Sequence, residues 1–212
     1  MNNVLEQIGK IGIVPVVVLN NSEDALPLSN ALIKGGLACA EVTFRTEAAQ
    51  ESISIISKNF PQMLVGAGTV LNTEQVDRAL DAGAKFIVSP GFNPKVVEYC
   101  VKKNIPVTPG IMTPTELEMA LDFGLDVVKF FPAENAGGLK MIKAMAAPYT
   151  MMKFMPTGGI NAQNVCDYLA CDKILACGGS WMVKGDLIKD QNYSEIEKLT
   201  AQAVQIVKQI RG

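Results

Sequence analysis

Val127-Val128-Lys129-Phe130-Phe131-Pro132-Ala133-Glu134 sets one lysine inside a run of aliphatic and aromatic residues. The run reads as a strand ending at Pro132, and side chains alternate along a strand, so Val127, Lys129 and Phe131 share a face. An ammonium there is costly unless it is paired or gives up its proton, and a lysine that can do so is a nucleophile. The competing reading is a packed stem whose charged head reaches water. Which reading holds depends on the end of the fold at which Lys129 sits.

Short β-branched runs alternate with helical patterns on both sides of this stretch. Strands are expected at residues 13–19, 39–44, 63–68, 86–89, 106–108, 126–131, 153–156 and 173–177. Helices are expected at 22–34, 47–58, 73–82, 94–102, 115–122 and 137–146, several of them stopped by glycine, as at Gly35-Gly36, Gly83 and Gly124. No linker or charge run divides the 212 residues. The pattern predicts an α/β fold, a single (β/α)8 TIM barrel domain over residues 1–212, with an open doubly wound sheet as the alternative. Residues 2–9 read as a short helix across the bottom mouth. The segment from Tyr193 onward, with Ile196, Leu199, Ala203, Val207 and Ile210 near helical spacing, reads as the closing helix. Ten methionines, Met151, Met152 and Met155 among them, read as adaptable core filling.

Composition removes several function classes. A net charge of −2 and a pI near 5.3 give no reason to bind nucleic acid or an anionic membrane surface. The apolar run from Ile11 to Leu19 is too short to span a bilayer and lacks a basic flank, so neither signal peptide nor anchor is expected and the location is read as cytoplasmic. Five cysteines, odd in number and without a Cys-x-x-Cys pair, read as reduced packing residues. The absence of histidine removes Ser-His and Cys-His triads, His-ligated zinc and the commonest general base. A carboxylate or a lysine must then move any protons.

On such a barrel the chemistry sits where strands run into their following loops. There the second strand delivers Glu41, Thr43 and Arg45 in alternation, a base and a cation if that face looks inward. Of three arginines, Arg78 falls in a helical pattern and Arg211 near the last residue, leaving Arg45 to hold a substrate carboxylate in its planar fork. A structural Glu41–Arg45 ion pair is the plainer alternative. In Val65-Gly66-Ala67-Gly68-Thr69, small residues would admit a ligand close to the backbone and Thr69 offers a hydroxyl. Ser89-Pro90-Gly91 and Thr108-Pro109-Gly110 read as tight turns. Pro156-Thr157-Gly158-Gly159-Ile160 and Cys177-Gly178-Gly179-Ser180-Trp181 place paired glycines after the last two strands. Each pair is expected to run into a helix start and expose N–H groups to a phosphate, with Ser180 as an extra donor. Trp181 reads as a core aromatic. Lys85, Lys153 and Lys173 begin their strands, whereas Lys129 lies toward the end of its own. With Glu41 as proton carrier and Arg45 for a carboxylate, this predicts an imine between Lys129 and a 2-keto acid, an electron sink for a carbon–carbon bond.

The motifs Glu41-Val42-Thr43-Phe44-Arg45-Thr46, Gly66-Ala67-Gly68-Thr69-Val70, Ser89-Pro90-Gly91, Val128-Lys129-Phe130-Phe131-Pro132-Ala133, Pro156-Thr157-Gly158-Gly159-Ile160 and Gly178-Gly179-Ser180 together resemble the 2-keto-3-deoxy-6-phosphogluconate (KDPG) and 4-hydroxy-2-oxoglutarate (KHG) aldolases. The likeness keeps the motif order over nearly the whole chain. It implies that Lys129 is the Schiff-base lysine, Glu41 the general acid/base, and Arg45 and Thr69 the holders of the pyruvate carboxylate. It implies that Pro90, Phe131 and Thr157 line the pocket and that Gly158, Gly159, Gly179 and Ser180 bind phosphate. It further implies a lyase acting on a small keto acid, with no metal or other cofactor beyond the imine, assembled as a homotrimer. A 6-phosphogalactonate-derived keto acid is the alternative substrate. Other readings are a non-aldolase phosphate-binding barrel, a Mg²⁺ aldolase using Glu41 with Asp126, and a non-catalytic barrel that holds a phosphorylated sugar acid.

Overall fold

The computed structural model describes residues 2–212. Its strands are β1 (Ile13–Val17), β2 (Cys39–Thr43), β3 (Leu64–Gly68), β4 (Ile87–Val88), β5 (Val107–Thr108), β6 (Gly110–Ile111), β7 (Val127–Phe130), β8 (Lys153–Pro156) and β9 (Cys177–Gly179). Its α-helices are α1 (Asn3–Ile11), α2 (Ala25–Lys34), α3 (Ala49–Asn59), α4 (Thr73–Asp81), α5 (Pro94–Lys102), α6 (Pro114–Asp122), α7 (Gly138–Ala146), α8 (Val165–Leu169), α9 (Gly185–Lys189) and α10 (Tyr193–Arg211). Local chemistry explains several starts. Asn72 and Asn93 accept from backbone N–H groups at the heads of α4 and α5, and Thr113 with Glu116 forms a capping box on α6.

The strands form a curled parallel sheet in two pieces, β5-β4-β3-β2-β1-β9 and β6-β7-β8. β5 and β6 are separated only by Pro109, which lacks an N–H but whose carbonyl accepts from Lys129 N–H at 2.9 Å. On the other side, isolated bridges pair Phe154 with Ile174 and Thr157 with Gly178. The pleat divides the core. Val128 and Phe130 pack in a large cluster against the helices. Val127 instead joins Val14, Cys39, Leu64, Phe86, Val88 and Met155 in a smaller cluster, together with Leu5 and Ile8 of α1. The expected helix across one end is therefore present, and it contributes to this inner cluster.

Four expectations are corrected. The eighth strand forms at 177–179, not 173–177, because Ile174 makes only a bridge while Cys177–Gly179 pairs in register with Ile13–Pro15. The short helices α8 and α9 escaped the periodicity reading, since five residues carry little more than one turn. Met151 is 60% exposed and fills no core, unlike Met152 and Met155. The room made by β3 goes to protein, not ligand: an added Cβ would come within 2.3 Å of the Phe86 ring at Gly66 and within 2.1 Å of Glu41 Oε1 at Gly68.

Arg211 closes the end of the fold opposite the site. It donates to the carbonyls of Leu169, Gly9, Leu175 and Ile174, so the last turn of α10 ties the α1 end to the β8–β9 connection. Arg211→Ala is expected to lower unfolding free energy by roughly 2–4 kcal/mol, because several carbonyls lose a charged donor at once. Urea unfolding measures this, and an unchanged midpoint would contradict it. All five cysteines are free. Burial pushes the Cys177 and Cys100 thiols up to about 12 and the Cys39 thiol well above its ordinary range, so these three stay protonated and act as packing groups.

Candidate active site

β2 and β7 carry the reactive pair. Glu41 stands two residues beyond Cys39 and Lys129 two residues beyond Val127, so both share the face of the inner cluster, Glu41 at the middle of β2 and Lys129 toward the end of β7. Lys129 Nζ lies 3.6 Å from Glu41 Oε1, with the residues 5% and 2% exposed. That pairing answers the two opening alternatives for Lys129: the head does not reach bulk water but stays inside, beside a carboxyl group. It also replaces the Glu41–Arg45 pair considered from sequence. β2 ends at Thr43, Arg45 lies in the following turn and is exposed, and Thr43 Oγ1 donates to the Val17 carbonyl at 3.0 Å. Glu41 Oε1 makes no hydrogen bond among the described residues.

The Phe131 ring connects this pair to open space. Its centroid is 5.1 Å from Lys129 Nζ, and Phe131 also lines a cleft of about 530 Å³. The cleft brings together Arg45, Phe131, Thr157, Gly158, Gly159, Gly179 and Ser180, seven of the residues expected to act on substrate. Thr69 and Pro90 do not line it. Thr69 is half-buried at φ 55°, directly after the Gly68 that abuts Glu41. The Pro90 carbonyl presses on Gly110, where a Cβ would meet it at 2.1 Å, and Gly110 is the register partner of Lys129. Ile160 and Gly185 line it as well, and so do Val16, Val18, Val183, Lys184 and Asp186, none of which was expected as a site residue. Val16 and Val18 lie at the end of β1, and reading that strand end as the others were read would have found them.

The glycine pairs are placed differently from the sequence expectation. Gly158 and Gly159 have φ of 99° and 81°, but α8 begins only at Val165 and α9 only at Gly185. Each pair therefore leads through a turn, not directly into a helix. The Gly159 carbonyl accepts from the side-chain amides of Asn161 and Asn164, each at 3.0 Å. Trp181 is half-buried, with its ring stacked so closely on Gly179 that a Cβ there would meet it at 2.0 Å. Among the described residues no cluster of three or more Cys, Asp or Glu is grouped to hold a metal ion, and no helix is long and apolar enough to cross a membrane.

The arrangement supplies a buried amine paired with a carboxylate, beside a cleft whose lining includes an arginine. Comparison with known proteins points the same way. The sequence model of the KDPG and KHG aldolase family matches residues 4–199. A 2-dehydro-3-deoxy-phosphogluconate aldolase of Treponema pallidum is 50% identical over 207 residues, covering 98% of this chain and 99% of its own. One of Haemophilus influenzae is 49% identical over 205 residues, 97% of each chain. The crystal structure of KDPG aldolase from Legionella pneumophila, with pyruvate captured as a covalent carbinolamine, superposes with a TM-score of 0.91 at 39% identity, covering 94% of this chain and 97% of that one. The chain belongs to the KDPG and KHG aldolase family.

Proposed function

We propose that this protein is a class I aldolase that reversibly cleaves 2-dehydro-3-deoxy-6-phosphogluconate to pyruvate and glyceraldehyde 3-phosphate. The same site would cleave 4-hydroxy-2-oxoglutarate to pyruvate and glyoxylate. The observation that carries the reading is the buried Lys129–Glu41 pair beside the Phe131 wall of the cleft. Lys129, its ammonium proton passed to the Glu41 carboxylate, attacks the C2 carbonyl to give a carbinolamine, and Glu41 then gives that proton to the departing hydroxyl, which leaves as water from a protonated imine. As the C3–C4 bond breaks, its electrons pass into the imine and the C4 hydroxyl proton passes to Glu41. The resulting enamine is reprotonated at C3 and hydrolysed to pyruvate, which frees Lys129. The iminium is the electron sink, so the mechanism calls for no metal or other cofactor.

Arg45 and Thr69 are assigned to the pyruvate carboxylate, Pro90, Phe131 and Thr157 to the pocket wall, and Gly158, Gly159, Gly179 and Ser180 to the phosphate. The gathering of Arg45, Thr157 and those last four around one cleft supports the assignment. We also read residues 1–212 as one domain whose two sheet pieces form a closed (β/α)8 barrel. The short interval at Pro109 and the bridges between residues 154 and 174 and between 157 and 178 support closure. A homotrimer follows from the family resemblance, and the location is read as cytoplasmic from the sequence pattern alone. Incubation with pyruvate and borohydride is expected to add one reduced pyruvate to the peptide bearing Lys129, read by mass spectrometry. Label on another lysine, or none, removes the assignment.

A further inference from the structure

The segment that carries Lys129 remains involved in the site beyond Phe131. Ala133 N–H donates to the Thr157 carbonyl at 2.8 Å and Glu134 N–H to the Gly158 carbonyl at 3.1 Å, so the glycine turn rests on the continuation of β7. A Cβ on Gly159 would come within 2.6 Å of both Cβ and Cγ of Glu134, which wedges the Glu134 stem against the turn. Past that contact the carboxylate runs to Gly138 and accepts a hydrogen bond from the Tyr168 hydroxyl. Tyr168 is 2% exposed and belongs to α8, the helix into which the same turn leads. Burial, and then the hydrogen bond to Glu134, raise its hydroxyl well above the ordinary phenol range, so it remains a donor. Asn161 and Asn164 hold the Gly159 carbonyl from the α8 side. The glycine turn is thus fixed between the β7 continuation and α8, and the Glu134–Tyr168 bond joins those two supports.

We propose that Glu134 and Tyr168 are positioning residues that set the distance between the Lys129 amine and the Gly158-Gly159 turn, and so select a phosphorylated keto acid long enough to span the two. This rests on the aldolase reading above. Neither side chain lines the cleft, and both act through the turn. The span matters because the phosphate end is held far from the reacting carbons, so a displaced turn weakens ground state and transition state alike and raises KM while leaving kcat. A shorter keto acid without a phosphate does not reach the turn and is indifferent to it.

Tyr168→Phe, Glu134→Ala and Glu134→Gln, each assayed with 2-dehydro-3-deoxy-6-phosphogluconate and 4-hydroxy-2-oxoglutarate, test the proposal. Tyr168→Phe and Glu134→Ala are expected to raise KM for the phosphorylated substrate about tenfold, as loss of a charge-assisted hydrogen bond does, while its kcat and both constants for the shorter substrate stay within about twofold. Glu134→Gln keeps an oxygen to accept from Tyr168 and is expected to behave nearly as wild type. Equal losses on the two substrates, an unchanged KM, or a Gln variant as impaired as the Ala variant each overturn the proposal. Glu134 is exposed, so its variants test the tie even if Tyr168→Phe is too unstable to assay. Failure of the aldolase reading looks different: wild-type enzyme would cleave neither substrate and take up no pyruvate under borohydride.

Discussion

Lys129→Ala is expected to lower kcat/KM for keto-acid cleavage by about 10⁵-fold or more. Covalent attachment places the reacting carbon and its electron sink in one molecule, an advantage of about 7–11 kcal/mol, and each decade of rate corresponds to ~1.36 kcal/mol. The substitution also strips Glu41, 2% exposed, of its cation. An uncompensated buried charge costs about 3–5 kcal/mol unless the carboxyl takes up a proton, so the alanine enzyme should be less stable as well as inactive. Lys129→Met keeps the aliphatic volume of the stem and separates lost chemistry from lost packing. Steady-state cleavage assays with a thermal melt of each variant provide the measurement. A folded methionine variant with near wild-type turnover is incompatible with an imine at this position.

Glu41→Gln is expected to cost about 10²–10⁴-fold in kcat, the usual worth of a positioned proton carrier. Glutamine matches the shape of the side chain pressed against Gly68 but cannot exchange a proton with the substrate. The amine remains, so borohydride should still trap pyruvate on Lys129, whereas exchange of the pyruvate methyl protons with solvent should slow along with cleavage. This combination distinguishes loss of proton transfer from loss of the nucleophile. Full cleavage activity in Glu41→Gln would mean that another group carries the proton.

The sequence displayed the periodic parts of this fold well. Strands β1, β2, β3, β7 and β8 and helices α4, α5, α6 and α10 fall where alternation and caps place them, because their apolar spacing extends over enough residues to be read. β9 was displaced because Ile174, Leu175 and Ala176 are as apolar as a strand requires while the pairing with β1 starts at Cys177. In the site, residue type and strand position pointed to Lys129, Glu41 and Arg45 as candidates, and the structure brings the first two into contact while Arg45 lines the neighbouring cleft. The partner of Glu41 was not legible, since strand alternation gives a face but says nothing of how a distant strand meets it across the curled sheet. The same gap hid the occupants of the space at Gly66 and Gly68: a small residue announces a close approach without naming what approaches. Glu134 and Tyr168, 34 positions apart, carry no local signal of their contact.

Glu41 and Lys129 come from different pieces of the sheet, one from the six-stranded part and the other from the three-stranded part. During refolding, each piece can acquire its parallel pairing before the two dock, and parallel pairing over long chain intervals is intrinsically slow. β1 also waits for β9, roughly 160 residues further along the chain, before both its edges are covered. Recovery of the buried amine–carboxylate contact therefore requires that the two pieces have met. A refolding chain is expected to regain its helical signal before its ability to capture a ketone, and the interval covers both the pairing of β9 with β1 and the meeting of the two pieces.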